Sequence, residues 1–250
     1  MSSTVTQLRS SPSQLSPLIE SGVSIVLPTL NEEESIVQAL TALNETLQDP
    51  CIVVVDGNSA DRTAELAKSL GAHVISQTGK GKGDALRQAF NSSQLASRGS
   101  NIIVITDADC SMPPTEIPML VKAVREGADL AKGSRFLAEG KSEDITLIRR
   151  IGNRFFLWIV NNFWGTKYTD LCYGFMAFRK EALEKLTPDL RSEGFEVETE
   201  ICIKAKKLGL KVAEIPSIEL RRLYGRSRLN TFEAGSRIMQ TILREAIHKH

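Results

Sequence analysis

Residues 101–114 read NIIVITDADCSMPP. A short β-branched run, Ile102 to Ile105, ends on two aspartates, Asp107 and Asp109, and then on Ser111 and a proline pair. The run lacks polar alternation, as expected of a strand buried on both faces. If the strand continues past Ala108, both carboxylates share one face; if it turns there, they converge on the strand end. Two like charges brought together are costly unless a cation neutralises them, and oxygen ligands beside phosphates suit Mg²⁺ or Mn²⁺. An Asp-x-Asp pair taken alone fits an exposed turn equally well. Its place in the fold has to decide.

Reading outward, VSIVLPT (23–29) is an apolar run closed by Pro28, and the helix after it carries Ile36, Leu40, Leu43 and Leu47 on a helical period. Asn31 with Glu34 has the spacing of a capping box at its start. CIVVVD (51–56) repeats the strand, with a helix that stops at Gly71. HVISQ (73–77) leads into the glycine-rich TGKGKGD and a helix expected from Ala85. The glycine amides of that loop could approach a phosphate. After residues 101–114, a helix is expected from Pro113–Pro114 to Gly127. Apolar strands alternating with amphipathic helices predict a mainly parallel central sheet with helices on both faces. Ligands of such sheets bind beyond the carboxyl ends of the strands, the edge where Asp56, Asp107 and Asp109 fall.

From Ala128 onward the pattern changes to a polar loop (138–146), an aromatic helix (147–164), TDLCYGFMAFR, a helix ending at Gly209, and KVAEIPSIELRR. No linker separates the halves, so one domain is expected over 21–230, followed by an amphipathic helix (231–250) suited to lipid or a second copy of the chain, a homodimer. The Ser-rich residues 1–20 read as a disordered tail on a cytoplasmic protein. With 31 Lys and Arg against 30 Asp and Glu, composition shows no nucleic-acid footprint. The four cysteines have neither disulfide nor zinc spacing. No run reaches the ~20 apolar residues that span a bilayer.

The stretches SIVLPTLNEEESI, VVVDGNSADRT, GKGDALRQAF, VITDADCSMPP, KGSRF, RRIGNRFF, TDLCYGFMAFRKEAL, GFEVETEI and RRLYGRSRLN occur in that order. Together they resemble the family 2 glycosyltransferases of GT-A (Rossmann-like) fold, most of all the polyprenyl-phosphate sugar transferases typified by dolichyl-phosphate mannose and glucose synthases. The resemblance covers residues 22 to about 232. It implies a nucleotide-sugar half (about 21–136) and an acceptor half (about 137–230). In the first, Pro28, Thr29, Asn31, Glu32, Asp56 and Asn58 would surround base and ribose, and Gly81, Lys82 and Gly83 would lie against the nucleotide. Asp107 and Ala108 would lie near ribose and metal, with Asp109 as metal ligand. Arg135, Arg149, Arg222 and Arg228 would receive the acceptor phosphate or the diphosphate, and Asp170 would face the acceptor. The chain departs from the family pattern at Gly57–Asn58, at Ser111 and at Cys172–Tyr173.

The expected activity is inverting transfer of a hexose from a UDP- or GDP-sugar to a polyprenyl (dolichyl-type) phosphate, with Mg²⁺ or Mn²⁺ on Asp109 and Asp107. A phosphate acceptor is already ionised at neutral pH (second pKa ~6) and needs no base. A hydroxyl acceptor, the alternative, needs a carboxylate, with Asp170 as first choice and Glu198 as second. A third alternative is a non-catalytic nucleotide-sugar-binding subunit. Glu196, Glu198 and Glu200 could equally form a solvated helix face. Phe155, Phe156, Trp158 and Trp164, beside Arg149, Arg150 and Arg154, suit either a membrane interface, making a peripheral contact, or the core.

Overall fold

The computed structural model describes residues 6–7, 22–97, 100–222, 224 and 230–248. The expected tail thus lies outside the described residues except for a two-residue strand, β1 (Thr6–Gln7), which pairs with Ala213 and Glu214. Arg228 also lies outside them.

The first half builds as its periodicity predicts. Strand β2 (Val23–Thr29) leads to helix α1 (Ile36–Thr46), β3 (Cys51–Asp56) to α2 (Thr63–Ser69), and β4 (His73–Ser76) to α3 (Lys82–Phe90) and the short α4 (Ser93–Ser97). Strand β5 (Ile102–Ile105) is followed by a 3₁₀ turn at Pro114–Glu116 and by α5 (Ile117–Arg125). The second half adds β6 (Leu130–Ser134), β7 (Lys141–Ser142), α6 (Leu147–Trp164), β8 (Met176–Arg179), α7 (Lys180–Leu186), α8 (Val197–Lys207), β9 (Val212–Pro216), β10 (Ile218–Glu219) and α9 (Thr231–Ile247).

The main sheet has the order β1-β9-β6-β8-β5-β2-β3-β4, and only β8 runs antiparallel to its neighbours. All six residues of β3 and all four of β5 are buried. Alternate residues of one strand feed opposite layers: Val53 and Val55 pack with α3, α6, α8 and α9, while Ile52 and Val54 pack with α1, α2 and α5. Each fully buried Val or Ile contributes roughly 1.5–3 kcal/mol, so both faces must be covered.

Two helix starts differ from the sequence reading. α1 begins after Ser35, not at a capping box, because Asn31 adopts φ 51° and spends its side-chain oxygen on the Ala60 amide. α3 begins at Lys82, three residues before Ala85, since Gly81 (φ 84°) turns the chain directly into the helix. Helix α6 forms over 147–164 as expected, with Thr146 accepting the Arg149 amide and Gly165 (φ 62°) ending it. Phe156 and Val160 enter the core, while Leu147, Ile151, Phe155, Trp158 and Phe163 stay exposed. On the expected amphipathic helix, α9, Ile238 and Ile242 are buried against the same core as α6 and α8, so part of its apolar face is taken up within the chain. Phe232, Leu243 and Ile247 remain exposed.

Candidate functional site

The carboxyl ends of β2, β4 and β5 open into a cleft of about 600 Å³, which continues between α6 and α9. Its polar half is lined by Pro28, Thr29, Glu32, Gln77, Gly81, Lys82, Asp107, Ala108, Asp109, Glu198 and Arg222. The part between α6 and α9 is lined by Ile145, Ile148, Phe156, Phe232 and Ile238, together with the polar Asp144, Arg149, Asn153, Thr231 and Ser236.

Each aspartate pairs with a different basic side chain. Asp107 lies 2.7 Å from Lys82 Nζ, and Asp109 lies 2.8 Å from Arg222 Nη2 while accepting the Ser111 amide. The intervening turn is held by Cys110 at φ 61°. Burial, and then the Asp109 and Glu32 carboxylates, push the Cys110 thiol up to about 11. No group of three or more His, Cys, Asp or Glu with metal-ligand geometry occurs among the described residues.

Lys82 is the hub of the polar half. Its ammonium also reaches Glu198 Oε1 at 2.9 Å and lies 5.9 Å from the Phe195 ring centre. Burial disfavours the charge, but Asp107 and Glu198 outweigh it, so the Lys82 pKa is raised and the side chain stays protonated. Glu198 moves up as well: its own burial outweighs Lys82, and Asp107 adds repulsion.

The glycines around Lys82 pack closely against the backbone of residues 192–194. Gly83 N and Asp84 N both donate to the Glu193 carbonyl, at 2.7 and 3.2 Å. A Cβ on Gly83 would stand 2.2 Å from the Ser192 oxygen, and one on Gly81 2.4 Å from the Glu193 oxygen. A Cβ on Gly174 would collide with Glu198 and Lys82.

Other residues of the sequence-derived nucleotide set lie beside the cleft or outside it. Asp56 is buried at the end of β3 in register with Thr29; one carboxylate oxygen accepts the Ser59 amide and Oδ1 has no hydrogen-bond partner. An orphaned buried acceptor costs roughly 1–3 kcal/mol, which a hydrogen-bonding ligand would recover. Asn31 and Asn58 brace the loops, through Ser59 and Ala60 and through the Gln77 carbonyl respectively. Gln77, which the sequence reading passed over, does line the cleft and anchors the Gly81 carbonyl.

Asp170 does not face an acceptor. It is wholly buried and clamps Arg135 through two hydrogen bonds, to Nε at 2.7 Å and to Nη2 at 3.0 Å. Burial alone would raise its pKa, but Arg135, with Lys132 behind it, lowers it. That is the opposite of what a general base needs. Arg135 in turn spends its remaining donors on Glu219 and the Cys172 carbonyl and stacks 4.7 Å over the Tyr173 ring. It lines the cleft as a committed ion rather than an open phosphate receiver. Beneath it, the fully buried Lys132 reaches Glu214 and the Asp170 carbonyl.

The acidic face of α8 is also not solvated. Glu196, Glu198 and Glu200 are all buried, the first and last accepting backbone amides of residues 191–194. Arg149 lines the cleft with its Nε on Thr231 Oγ1. Among the described arginines expected at the site, Arg222 pairs with Asp109.

Comparison with known proteins identifies the family. Residues 24–187 match the family model described as glycosyl transferase family 2. An uncharacterized protein of Methanocaldococcus jannaschii is 33% identical over 94% of this chain and 96% of its own length. The dolichol-phosphate mannosyltransferase of Pyrococcus furiosus is 34% identical over 83% of this chain, which spans 59% of that relative. Among solved structures, glucosyl-3-phosphoglycerate synthase of Mycobacterium tuberculosis with Mn²⁺, UDP and product superposes with a TM-score of 0.70 at 23% identity, covering 90% of this chain and 79% of that one. The strand order, the carboxyl-edge cleft and the match over residues 24–187 place the chain in glycosyl transferase family 2, as a glycosyltransferase of GT-A fold.

Proposed function

We propose that this glycosyltransferase is an inverting, metal-dependent hexosyltransferase that takes its sugar from a UDP- or GDP-sugar and passes it to a polyprenyl phosphate. The observation that carries this reading is the continuity of one cleft. A charged half around Asp107, Asp109, Lys82 and Arg222 runs into an apolar half walled by Ile148, Phe156, Phe232 and Ile238. The charged half suits a nucleoside diphosphate, and the apolar half suits the first units of a prenyl chain. The names of similar proteins support each side: one is a dolichol-phosphate mannosyltransferase and another was crystallised with Mn²⁺ and UDP.

The donor set fits a hard divalent cation. Mg²⁺-type ions use one or two carboxylates with substrate phosphates and waters, so Asp109, aided by Asp107, would suffice without a third protein ligand. Bound there, the ion would neutralise charge growing on the leaving diphosphate. Arg222 holds the Asp109 carboxylate and adds a positive group on the same side. Lys82 keeps Asp107 and Glu198 oriented. The acceptor's phosphate oxygen, ionised at neutral pH, attacks the anomeric carbon as the carbon–oxygen bond to the diphosphate breaks. The nucleoside diphosphate leaves, and the configuration inverts in one displacement.

Among the described residues no helix is long and apolar enough to cross a membrane. The exposed Leu147, Ile151, Phe155 and Trp158 share one side of α6, with Arg150 and Arg154 also exposed on that helix. Basic groups beside an apolar stripe suit peripheral contact with an anionic lipid surface, next to the cleft's apolar half.

A second reading is favoured by Glu198. A cleft carboxylate with raised pKa is suited to deprotonating a hydroxyl acceptor, a part Asp170 cannot take. Purified protein incubated with UDP- and GDP-sugars, Mg²⁺ or Mn²⁺, and either polyprenyl phosphate or soluble hydroxyl acceptors separates the two. Sugar recovered in the lipid phase is expected; transfer only to soluble acceptors would reverse the choice.

A further inference from the structure

We propose that Arg244, near the end of α9, is a positioning residue for the donor side of the cleft, acting through the 191–196 loop on Lys82. The functional part of this inference rests on reading the Lys82 side as the nucleotide site.

Glu200 on α8 is wholly buried, and its carboxylate accepts the amides of Arg191 and Ser192. The cation facing it is Arg244, whose Nη2 stands 2.8 Å from Glu200 Oε1 and 3.2 Å from Ser192 Oγ. One guanidinium therefore ties the loop to both α8 and α9. The far side of the loop seats α3. The Glu193 carbonyl accepts Gly83 N and Asp84 N, and the Ser192 carbonyl accepts Arg87 Nη1. The contact is backbone to backbone, close enough that only glycine fits at position 83.

The first turn of α3 thus takes its place from the loop, and Lys82 belongs to that turn. The same loop supplies Phe195, whose ring lies under the Lys82 ammonium. Lys82 is set from two sides by a segment whose buried carboxylate anchor depends on Arg244. Removing the guanidinium leaves Glu200 buried without its counter-charge, a strongly unfavourable state. The loop relieves it by moving, and α3 follows.

Hydrogen exchange at the Gly83 and Asp84 amides, together with calorimetric titration of UDP and GDP in Mn²⁺, tests this in Arg244→Ala, Arg244→Lys and Lys207→Ala. Lys207 joins α8 to Glu245 of α9, itself 3.7 Å from Arg244 Nε, and among the described residues its side chain makes no hydrogen bond or ion pair to the loop, so its variant loosens the same seam while leaving the Arg244–Glu200 link in place. Arg244→Ala is expected to speed exchange at both amides and weaken nucleotide binding, each about tenfold. Arg244→Lys, which keeps the charge but not the forked donor, should fall between it and wild type. It carries the test alone if the alanine variant does not fold. Lys207→Ala should leave both readouts within about twofold, well inside one lost hydrogen bond.

Unchanged amides in the Arg244 variants, faster exchange with unchanged affinity, or equal effects in Lys207→Ala would overturn the proposal. If wild type binds neither nucleotide, the donor-site reading and the proposed positioning of the donor fall together, while exchange still reports whether Arg244 holds α3.

Discussion

Arg222 reaches Asp109 with Nη2 2.8 Å from Oδ2, closing the charged half of the cleft over the aspartate that the proposed metal would need. The same guanidinium stands 3.7 Å from Glu32, and its buried Nε has no hydrogen-bond partner among the described residues. Asp109→Ala is expected to abolish turnover, and Arg222→Ala to lower kcat by about 10²–10³. Initial rates across a Mn²⁺ titration check both; turnover by Asp109→Ala at saturating metal would refute the metal role.

Glu198 is expected to set the acid side of the pH profile. Its folded pKa is raised, so it takes up a proton above the ordinary glutamate value of about 4.3. As pH falls through that raised value, Lys82 loses one of its two carboxylate partners. The kcat/KM profile is expected to decline on the acid side at a pH above that of a solvent-exposed glutamate. Glu198→Gln should remove that limb; an unaltered limb in the variant would show that another group governs it.

Asp170→Asn probes stability, not base catalysis. Breaking a buried pair by removing one partner typically costs about 3–5 kcal/mol, and here Arg135 would keep only Glu219 as its counter-charge. Because the Asp170 pKa is lowered on folding, its contribution is complete above the unfolded value of about 3.9 and is lost as pH falls below it. Urea unfolding of the variant should show the loss at neutral pH, with the gap to wild type narrowing in acid.

Gly83→Ala is expected to destabilise by about 1–3 kcal/mol. The new Cβ would stand 2.2 Å from the Ser192 carbonyl oxygen, backbone that cannot swing aside as a side chain can. Thermal unfolding measures the loss, and Gly71→Ala, where a Cβ meets nothing but φ is 83°, separates crowding from backbone strain.

Trp158 carries the membrane prediction. It is 65% exposed on the stripe of α6 and touches none of the cleft. Replacing Trp158 and Phe155 by Ala should weaken binding to vesicles containing anionic lipid by about tenfold or more, the burial of one aromatic being worth well over 1.4 kcal/mol. Co-sedimentation reads this directly, and equal binding by the variant would remove the interfacial role.

The parallel sheet, the order of its elements and the cleft at its carboxyl edge follow from local pattern. Unbroken β-branched runs such as Cys51–Asp56 and helices with a 3.6-residue apolar period report their own environment, because burial of each position is written in its residue type. Asp107 and Asp109 were legible for the same reason, charges at the end of a buried strand. Helix starts were less so: Asn31 and Gly81 take backbone conformations that depend on loops far along the chain.

What the tertiary structure alone decided is which charge meets which. Lys82 and Glu198 are 116 positions apart and Arg135 and Asp170 are 35 apart, yet each pair is in contact and buried. Periodicity carries no record of such partners, since an acid on a helix looks the same whether it faces water or a distant cation. Packing α8 against α3 took Glu198 out of solvent and into the cleft, and packing β6 against the 170 loop turned Asp170 from a prospective base into the anchor of an arginine. Ion-pair partners are a property of assembled elements, because the cost of burying a charge is set by everything brought around it.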